Sequence, residues 1–285
     1  MPEPRTLVWF RADLRVADNP ALHTAAKRGP VVGLFLLAYE QWREHDWGHN
    51  RLRFLLDHLS ALSHRLAELG IPLRVRTCDR FADAAQAVLR AARDEGCDAV
   101  YCNREYEWNE RQRDRGVAEL LRHNGIEIAG FDDQVLLRPG TVQTGAGGFF
   151  TVFTPFRKAC LKLLADGLPQ PLPEPAAQGP SIEPTALPES PPDFPGADAD
   201  LSRFPGGEDA AHARLEAFVA EQQVDYAARR DFPGIDGTSG LSPYLACGAI
   251  SARQCFDVGA AREPFDDSTF LTEILWREFY RHVVF

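Results

Sequence analysis

The segment DGTSGLSPYLACGAIS (236–251) concentrates small hydroxyl residues and glycines directly ahead of a proline. Ser242 is a favourable N-cap residue and Pro243 suits the first helical position, so the pattern predicts a helix that begins here. Its unpaired amides would face Thr238 and Ser239, and the two glycines beside them would let a ligand approach the backbone closely. The segment indicates an anion-binding turn, although an ordinary surface loop has the same composition.

A second set of reactive side chains lies on the last predicted helix, which starts near Asp267. Its apolar stripe consists of Leu271, Ile274, Leu275, Phe279 and Val283. Glu273, Trp276, Arg277 and Tyr280 follow at helical spacing on another side, and such a mixture is expensive to bury without partners. This side is either the solvated face of an amphipathic helix or, because an indole lies among the charges, a stacking platform for a flat ligand.

Charged residues also crowd the turn after the first predicted strand, FRADLRVADN. This turn has no glycine, which argues against the glycine-rich fingerprint of a nicotinamide dinucleotide site. We interpret Arg11, Asp13, Arg15 and Asp18 as a surface ion-pair network.

Alternating strands and helices must position these residues. Short apolar runs predict strands at 6–10, 31–37, 72–77, 98–102 and 126–130. Helical stripes lie between them: one runs from Leu52 to Leu69 and ends at Gly70, and another runs from Phe81 to Leu89. This alternation predicts an α/β fold with a parallel, doubly wound, Rossmann-like sheet.

Three regions are predicted: an α/β domain over 1–135, a connector over 136–206 and a helical region over 207–285. The connector has ten prolines between Pro169 and Pro195, which exclude regular helix or sheet and predict a semi-extended segment. After it no strand pattern recurs, and Ser251 with Gln254 forms a capping-box signature. The final helix reaches Phe285 without a capping glycine, so we expect the chain to be a fragment whose helical domain is truncated.

Composition excludes several classes of protein. A net charge of −10 argues against general adhesion to nucleic acid, so DNA binding would need a local basic surface. The six cysteines form no metal-ligand pattern, and we expect reduced, packed thiols and no metal site. No run is long and apolar enough for a membrane span or leader, which predicts a cytoplasmic protein.

Several long motifs resemble those of the DNA photolyase/cryptochrome family, specifically the class I cyclobutane pyrimidine dimer photolyases of bacteria. They are WFRADLRVADNPAL, NREYEWNERQRD, TVFTPFRKAC, YAARRDFPGIDGTSGLSPYLACGAISARQC and EILWREFYRH. The resemblance covers the whole chain except the proline-rich segment. It implies an N-terminal antenna domain and an all-α domain that binds FAD.

The resemblance assigns FAD contacts to the hydroxyl-rich turn and to two aromatic residues. The residues concerned are Tyr226, Thr238, Ser239, Gly240, Leu241, Ser242 and Phe270. Many bacterial relatives have arginine where this chain has Gly240, so we expect one charge-assisted contact to be missing. Phe270 stands where many relatives have tryptophan, which keeps the ring but removes its N–H donor.

The implied activity is light-driven repair of cyclobutane pyrimidine dimers by electron transfer from reduced FAD, with UV-damaged DNA as partner of a monomeric lyase. Glu273 and Trp276 match the residues that meet the flipped-out dimer, where an indole stacks on bases and a carboxyl group hydrogen-bonds their edges. Arg230, Arg277 and Tyr280 are assigned to the DNA side, with the cofactor side as the alternative for the two arginines.

The resemblance also implies an antenna pigment near His45, Asn109 and Glu110. A carboxylate and an amide after the fourth strand could pair with a pterin ring, so we predict 5,10-methenyltetrahydrofolate, with 8-hydroxy-5-deazaflavin as the alternative. Read without the resemblance, NERQRD equally fits the start of a helix.

Two other functions remain open. A cryptochrome would share the fold and flavin but signal instead of repairing DNA, and the pair Glu273 and Trp276 favours repair. An inactive truncated product is the other alternative, and we expect these residues alone to hold FAD poorly.

Overall fold

Five parallel strands form one sheet in the order β3-β2-β1-β4-β5. The computed structural model describes residues 4–188, 194–196 and 198–285. The strands are β1 Thr6–Phe10, β2 Val31–Leu37, β3 Leu73–Thr77, β4 Ala99–Asn103 and β5 Glu127–Phe131. These bounds lie within one residue of the predicted strands. The α/β prediction is confirmed.

The three central strands are buried along their whole length. They read as continuous apolar runs because helices cover both faces of a parallel sheet. β1 pairs with β2 on one side and with β4 on the other. The strand order reverses between these neighbours, and ligands of doubly wound sheets bind at such a reversal, beyond the carboxyl ends of the strands.

Six helices precede the proline-rich segment. They are α1 Pro20–Arg28, α2 Tyr39–Glu44, α3 His49–Glu68, α4 Ala84–Asp94, α5 Trp108–His123 and α6 Phe153–Leu164. A single 3₁₀ turn, Phe81–Asp83, leads into α4. As predicted, α3 stops just before Gly70, whose φ of +69° suits glycine.

The helical region contains α7 Glu208–Glu221, α8 Tyr226–Arg229, α9 Ser242–Cys247, α10 Ala252–Arg262 and α11 Thr269–Val284. No strand occurs in 198–285, all of which the structure describes. The capping box of Ser251 and Gln254 is present. No helix in the described ranges is long and apolar enough to cross a membrane.

Two local predictions in this region were wrong. Ser242 is not the N-cap of α9 but its first helical residue. Leu241 occupies the N-cap position in helical conformation and makes no side-chain capping hydrogen bond, so α9 begins one residue earlier than predicted. Val283 was placed in the apolar stripe of α11, but its side chain is 47 % exposed, because the last turn extends beyond the packed surface.

The charged turn after β1 is a buried junction between the two halves, not the surface network that we predicted. Asp18 is 0 % and Arg15 1 % exposed. Arg253 on α10 donates to the Asp18 carboxylate at 2.9 and 3.0 Å and to Asp133 Oδ1 at 2.7 Å. Arg15 donates to the same Asp133 and to the carbonyl of Gly248. The pattern of alternating charges was correct evidence of pairing, but it carried no information about burial.

The proline-rich segment has no helix or strand within its described part, and positions 189–193 and 197 lie outside it. It is nonetheless fixed to the α/β half. Gln178 accepts from Val31 N at 2.8 Å and donates to Gly29 O at 2.9 Å. Thr185 donates to Leu73 O at 2.7 Å. These hydrogen bonds therefore hold the segment against the α/β half of the chain.

Candidate functional site

The hydroxyl-rich turn before α9 rests against α7. Arg214 of α7 donates from Nε to Ser239 O at 2.6 Å. Gly240 adopts φ +61°, a left-handed conformation that favours glycine. Thr238 and Ser242 are exposed and Ser239 is half-buried. The turn therefore presents hydroxyl and amide groups on a fixed backbone.

An aromatic cluster continues along the same face of α7. Phe218 follows Arg214 by four residues, which places it about 6 Å further along the helix axis. Its ring contacts Phe270 of α11 at 4.9 Å and Tyr226 of α8 at 5.5 Å between centroids. Tyr226 and Phe270 meet edge to face at 6.1 Å. One face of α7 thus joins the turn to both predicted flavin-side aromatic residues.

Glu273 and Arg230 form an ion pair beside this cluster. Both side chains are about one-third exposed, at 33 % and 29 %. The Arg230 guanidinium also lies over the Tyr226 ring, 5.4 Å from its centroid, and pairing with Glu273 raises its pKa. The Glu273 carboxylate, which we predicted to contact a ligand, is therefore paired with Arg230. An anionic ligand could compete with Glu273 for this guanidinium.

Trp276 lies one turn beyond Glu273 on α11. Its indole stacks on Phe153 of α6 at 3.7 Å, with 13° between the ring planes. Its ring centroid lies 5.9 Å from that of Tyr280, with 26° between the ring planes. Tyr280 is 59 % exposed, so the column of rings ends at the surface.

Arg277 points in a different direction from its neighbours on α11. It donates to the carbonyls of Gln134 and Leu245, and burial lowers the pKa of its guanidinium. Glu278 accepts backbone N–H groups from Leu136 at 2.9 Å and Leu137 at 2.8 Å. These two residues attach α11 to the segment that follows β5.

A separate cleft of about 680 Å³ opens beyond the carboxyl ends of β1 and β2. Its lining includes Trp9, Trp47, Arg51, Phe54 and Glu110 from the α/β half. Pro243 and Ala246 of α9 form the opposite wall. The cleft is thus distinct from the turn and the column of rings, although α9 borders both places.

Buried charged side chains pack against Trp9, which lines this cleft. Arg11 and Arg113 lie over the Trp9 ring, 4.4 and 4.8 Å from its centroid. Burial alone would raise the pKa of Asp114, but its ion pairs with these two arginines hold that pKa below its usual value. Burial, with smaller contributions from nearby carboxylates, raises the pKa of Glu110. Glu110 is therefore suited to receive or share a proton with a ligand in the cleft.

Two of the three predicted antenna residues line adjacent cavities, and His45 contacts one of them, Asn109. His45 Nε2 lies 3.4 Å from Asn109 Nδ2 and 3.1 Å from Gln41 Nε2. Asn109 lines a smaller cavity of about 300 Å³, whereas Glu110 lines the cleft. Phe81 and Arg113 border both, so the two spaces are neighbours.

Sequence reasoning missed several residues at these sites. Arg214 was placed only within the predicted helical region 207–285, and Trp9 only within the first predicted strand and its motif. Trp47 and Arg51 were not considered, although the guanidinium lies 3.8 Å from the centroid of the indole. The position of Trp9, at the carboxyl end of a central strand, was the available signal.

A family model described as DNA photolyase matches residues 6–176, more than half of the chain. The chain belongs to the DNA photolyase family. It is 39 % identical over 288 residues to the deoxyribodipyrimidine photo-lyase of Salmonella typhimurium, with 99 % of this chain covered. It is 38 % identical over 286 residues to that of Escherichia coli, with 98 % covered. The chain spans 60 % of the length of each of these photolyases.

Solved structures of this family share the fold. A bacterial class III photolyase from Agrobacterium tumefaciens superposes with a TM-score of 0.83 at 31 % identity, covering 100 % of this chain and 60 % of that one. A Synechocystis cryptochrome gives 0.83 at 28 % identity, with 99 % and 62 % covered. The family prediction is confirmed, whereas membership of class I stays a prediction.

Proposed function

We propose that this photolyase-family chain takes part in light-driven repair of cyclobutane pyrimidine dimers in DNA, with FAD as the cofactor. The observation that carries the proposal is a set of contacts that runs from the hydroxyl turn, through the face of α7 and Tyr226, to the ion pair of Glu273 and Arg230. Trp276 follows Glu273 by one turn of the same helix. One surface thereby combines groups suited to a dinucleotide with groups suited to an exposed base.

The donor set of the turn fits a diphosphate. Thr238, Ser239 and Ser242 supply hydroxyl groups, and the backbone at Gly240 and Leu241 is held in place by the bond from Arg214 to Ser239. Tyr226 and Phe270 would contact the flavin side of the cofactor. When bound, reduced FAD supplies the photoexcited electron.

On the DNA side, the chain's own residues would bind and orient the lesion. Trp276, already stacked on Phe153, offers a rigid indole for the flipped-out bases, which lowers the entropic cost of stacking. Glu273 would accept hydrogen bonds from the base edges, while Arg230 would move from that carboxylate toward a phosphate. Tyr280 extends the ring column outward.

Arg277 was predicted on the DNA side, but its hydrogen bonds to Gln134 and Leu245 suit a different role. We propose that Arg277 orients α11 against the α/β half, so that Glu273 and Trp276 face the lesion.

For the antenna pigment we propose 5,10-methenyltetrahydrofolate near His45, Asn109 and Glu110. A pteridine ring offers N–H groups that the Glu110 carboxylate and an amide oxygen can accept. The depth and aromatic lining of the cleft favour the alternative, 8-hydroxy-5-deazaflavin, which is a flat fused-ring pigment. Incubating the chain with each pigment, followed by gel filtration and absorbance, distinguishes them. We expect 5,10-methenyltetrahydrofolate to co-elute with the chain, and Glu110→Gln to weaken its retention.

The repair proposal is tested by expressing the gene in repair-deficient bacteria and measuring survival after UV, with and without blue light. Light-dependent survival is expected, and Glu273→Gln and Trp276→Ala should reduce it, whereas Arg262→Gln at an exposed site on α10 should not. FAD binding without light-dependent survival would favour the cryptochrome alternative. Absence of both would favour the truncated, inactive product.

We also propose a cytoplasmic monomer. All six cysteines are buried free thiols, which is typical of a reducing compartment. Sedimentation of the purified chain tests the monomer.

A further inference from the structure

Arg214 and Gly240 occupy the same position in space from two different elements. A Cβ atom built on Gly240 would lie 2.1 Å from Nη2 of Arg214 and 2.5 Å from its Cζ. No real side chain tolerates such distances, so any larger residue at 240 would displace the guanidinium. Because residue 240 is glycine, this space is left to the arginine of α7.

The Arg214 guanidinium is held in place at one end only. Its Nε donates to Ser239 O at 2.6 Å, and its Cζ lies 5.6 Å from the centroid of the Phe204 ring. Among the described residues, no carboxylate pairs with it within 4.0 Å, and its two Nη groups make no hydrogen bond. The side chain is half-buried. In a protein of net charge −10, an unpaired cation fixed on an anion-binding turn indicates an anionic ligand.

We infer that Arg214 supplies the positive charge for the diphosphate group of the dinucleotide bound at this turn. The inference rests on the proposed FAD site and deepens it. We expected a charge-assisted contact to be missing because residue 240 is glycine. The geometry instead assigns that charge to α7, which delivers it to the same place from outside the turn.

The experiment compares ligands that differ only in phosphates. FAD and riboflavin are titrated against the purified chain by flavin fluorescence, and ADP and adenosine by calorimetry, at concentrations high enough to measure the weak FAD binding that we expect of these residues alone. Arg214→Gln keeps a donor for Ser239 O but removes the charge. We expect it to weaken FAD and ADP about 10–100-fold, the usual range for a charge-assisted hydrogen bond. Riboflavin and adenosine should be unaffected.

Two matched variants control for net charge and structure. Arg262→Gln makes the same charge change at an exposed site and should leave all four affinities unchanged. Arg214→Lys should recover part of the lost FAD affinity, and added salt should weaken FAD binding more in the wild type than in Arg214→Gln. Thermal unfolding of each variant reports whether the stability of the fold is unchanged.

An exchange of the two residues gives an independent test. Gly240→Arg alone should lose FAD affinity, because two guanidinium groups compete for one position. Combining it with Arg214→Gln should restore most of the lost affinity, although the left-handed arginine should lower the melting temperature.

The outcomes separate the inference from the function on which it rests. If the wild type binds neither FAD nor ADP, the proposed cofactor site fails, and the inference with it. If the wild type binds FAD but Arg214→Gln binds it equally well, only the inference is overturned. Equal losses for FAD and riboflavin also overturn it, since they would show a purely structural role.

Discussion

Replacement of Arg253 by methionine tests the buried junction between the two halves of the molecule. Methionine has a similar length but makes none of the bonds to Asp18 and Asp133, so Asp133 would keep Arg15 as a partner, whereas the Asp18 carboxylate would lose its paired cation. Breaking a buried ion pair in this way costs about 3–5 kcal/mol. In a chain of this size each kcal/mol lowers the Tm by about 2–4 °C, so a fall of roughly 6–20 °C is expected.

The effect should depend on pH in a defined direction. Burial would raise the pKa of Asp133, but Arg15 and Arg253 outweigh it and hold the native pKa below the ordinary value of 3.8. The stability gained from a lowered carboxyl pKa is present above the unfolded value and is lost as the pH falls through the native one. The difference between wild type and Arg253→Met should therefore be largest near neutral pH and shrink toward pH 3.

Thermal and urea unfolding across this pH range, followed by circular dichroism, measures the effect. Arg262→Met, on the same helix but exposed, is the control and should remain within about 0.5 kcal/mol of the wild type. A difference between the two variants smaller than that, or one that grows as the pH falls, would contradict the assignment of the junction as a stabilising ionic network.

Three further substitutions have defined outcomes. Glu110→Gln should raise the free energy of unfolding at pH 7 but not below pH 4.5, because a carboxyl group with a raised native pKa is destabilising only when ionised; chemical denaturation at both pH values checks this. Ser251→Ala should cost about 1–2 kcal/mol by removing the acceptor for Gln254 N, and a Ser251→Thr variant should retain most of it. Gly248→Ala should cost about 2–5 kcal/mol, since φ is +72° and the added Cβ would lie 2.1 Å from Ala12 O; a melting temperature equal to the wild type would contradict this.

The strands were predictable because their signal is local. A buried run such as β2 is apolar throughout, and β-branched residues with flanking turn signals fix its ends within a residue. The capping box at Ser251 was equally readable, because a hydroxyl residue followed three positions later by glutamine is a local motif. These features depend on few residues and little on the rest of the molecule.

The partners of charged side chains were not predictable in the same way. Arg253 and Asp18 are 235 positions apart, and the sequence indicated that the turn after β1 was charged without indicating that α10 would cover it. Arg214 can reach the turn because Gly240 has no side chain to block its guanidinium. Both contacts require the helical region to be docked on the sheet, which no local pattern encodes.

The helix α9, only six residues long, belongs to two compartments at once. Its first residue closes the hydroxyl turn, its Pro243 and Ala246 wall the cleft, and its last carbonyl accepts from Leu14 N at 3.1 Å. If both compartments hold the pigments proposed, their spacing and mutual angle are set by this partition and not by a flexible hinge. The efficiency of excitation transfer falls steeply with the distance between two pigments. A substitution that changes the orientation of α9 would therefore lower the efficiency of transfer from the antenna pigment to the flavin, while both chromophores stay bound.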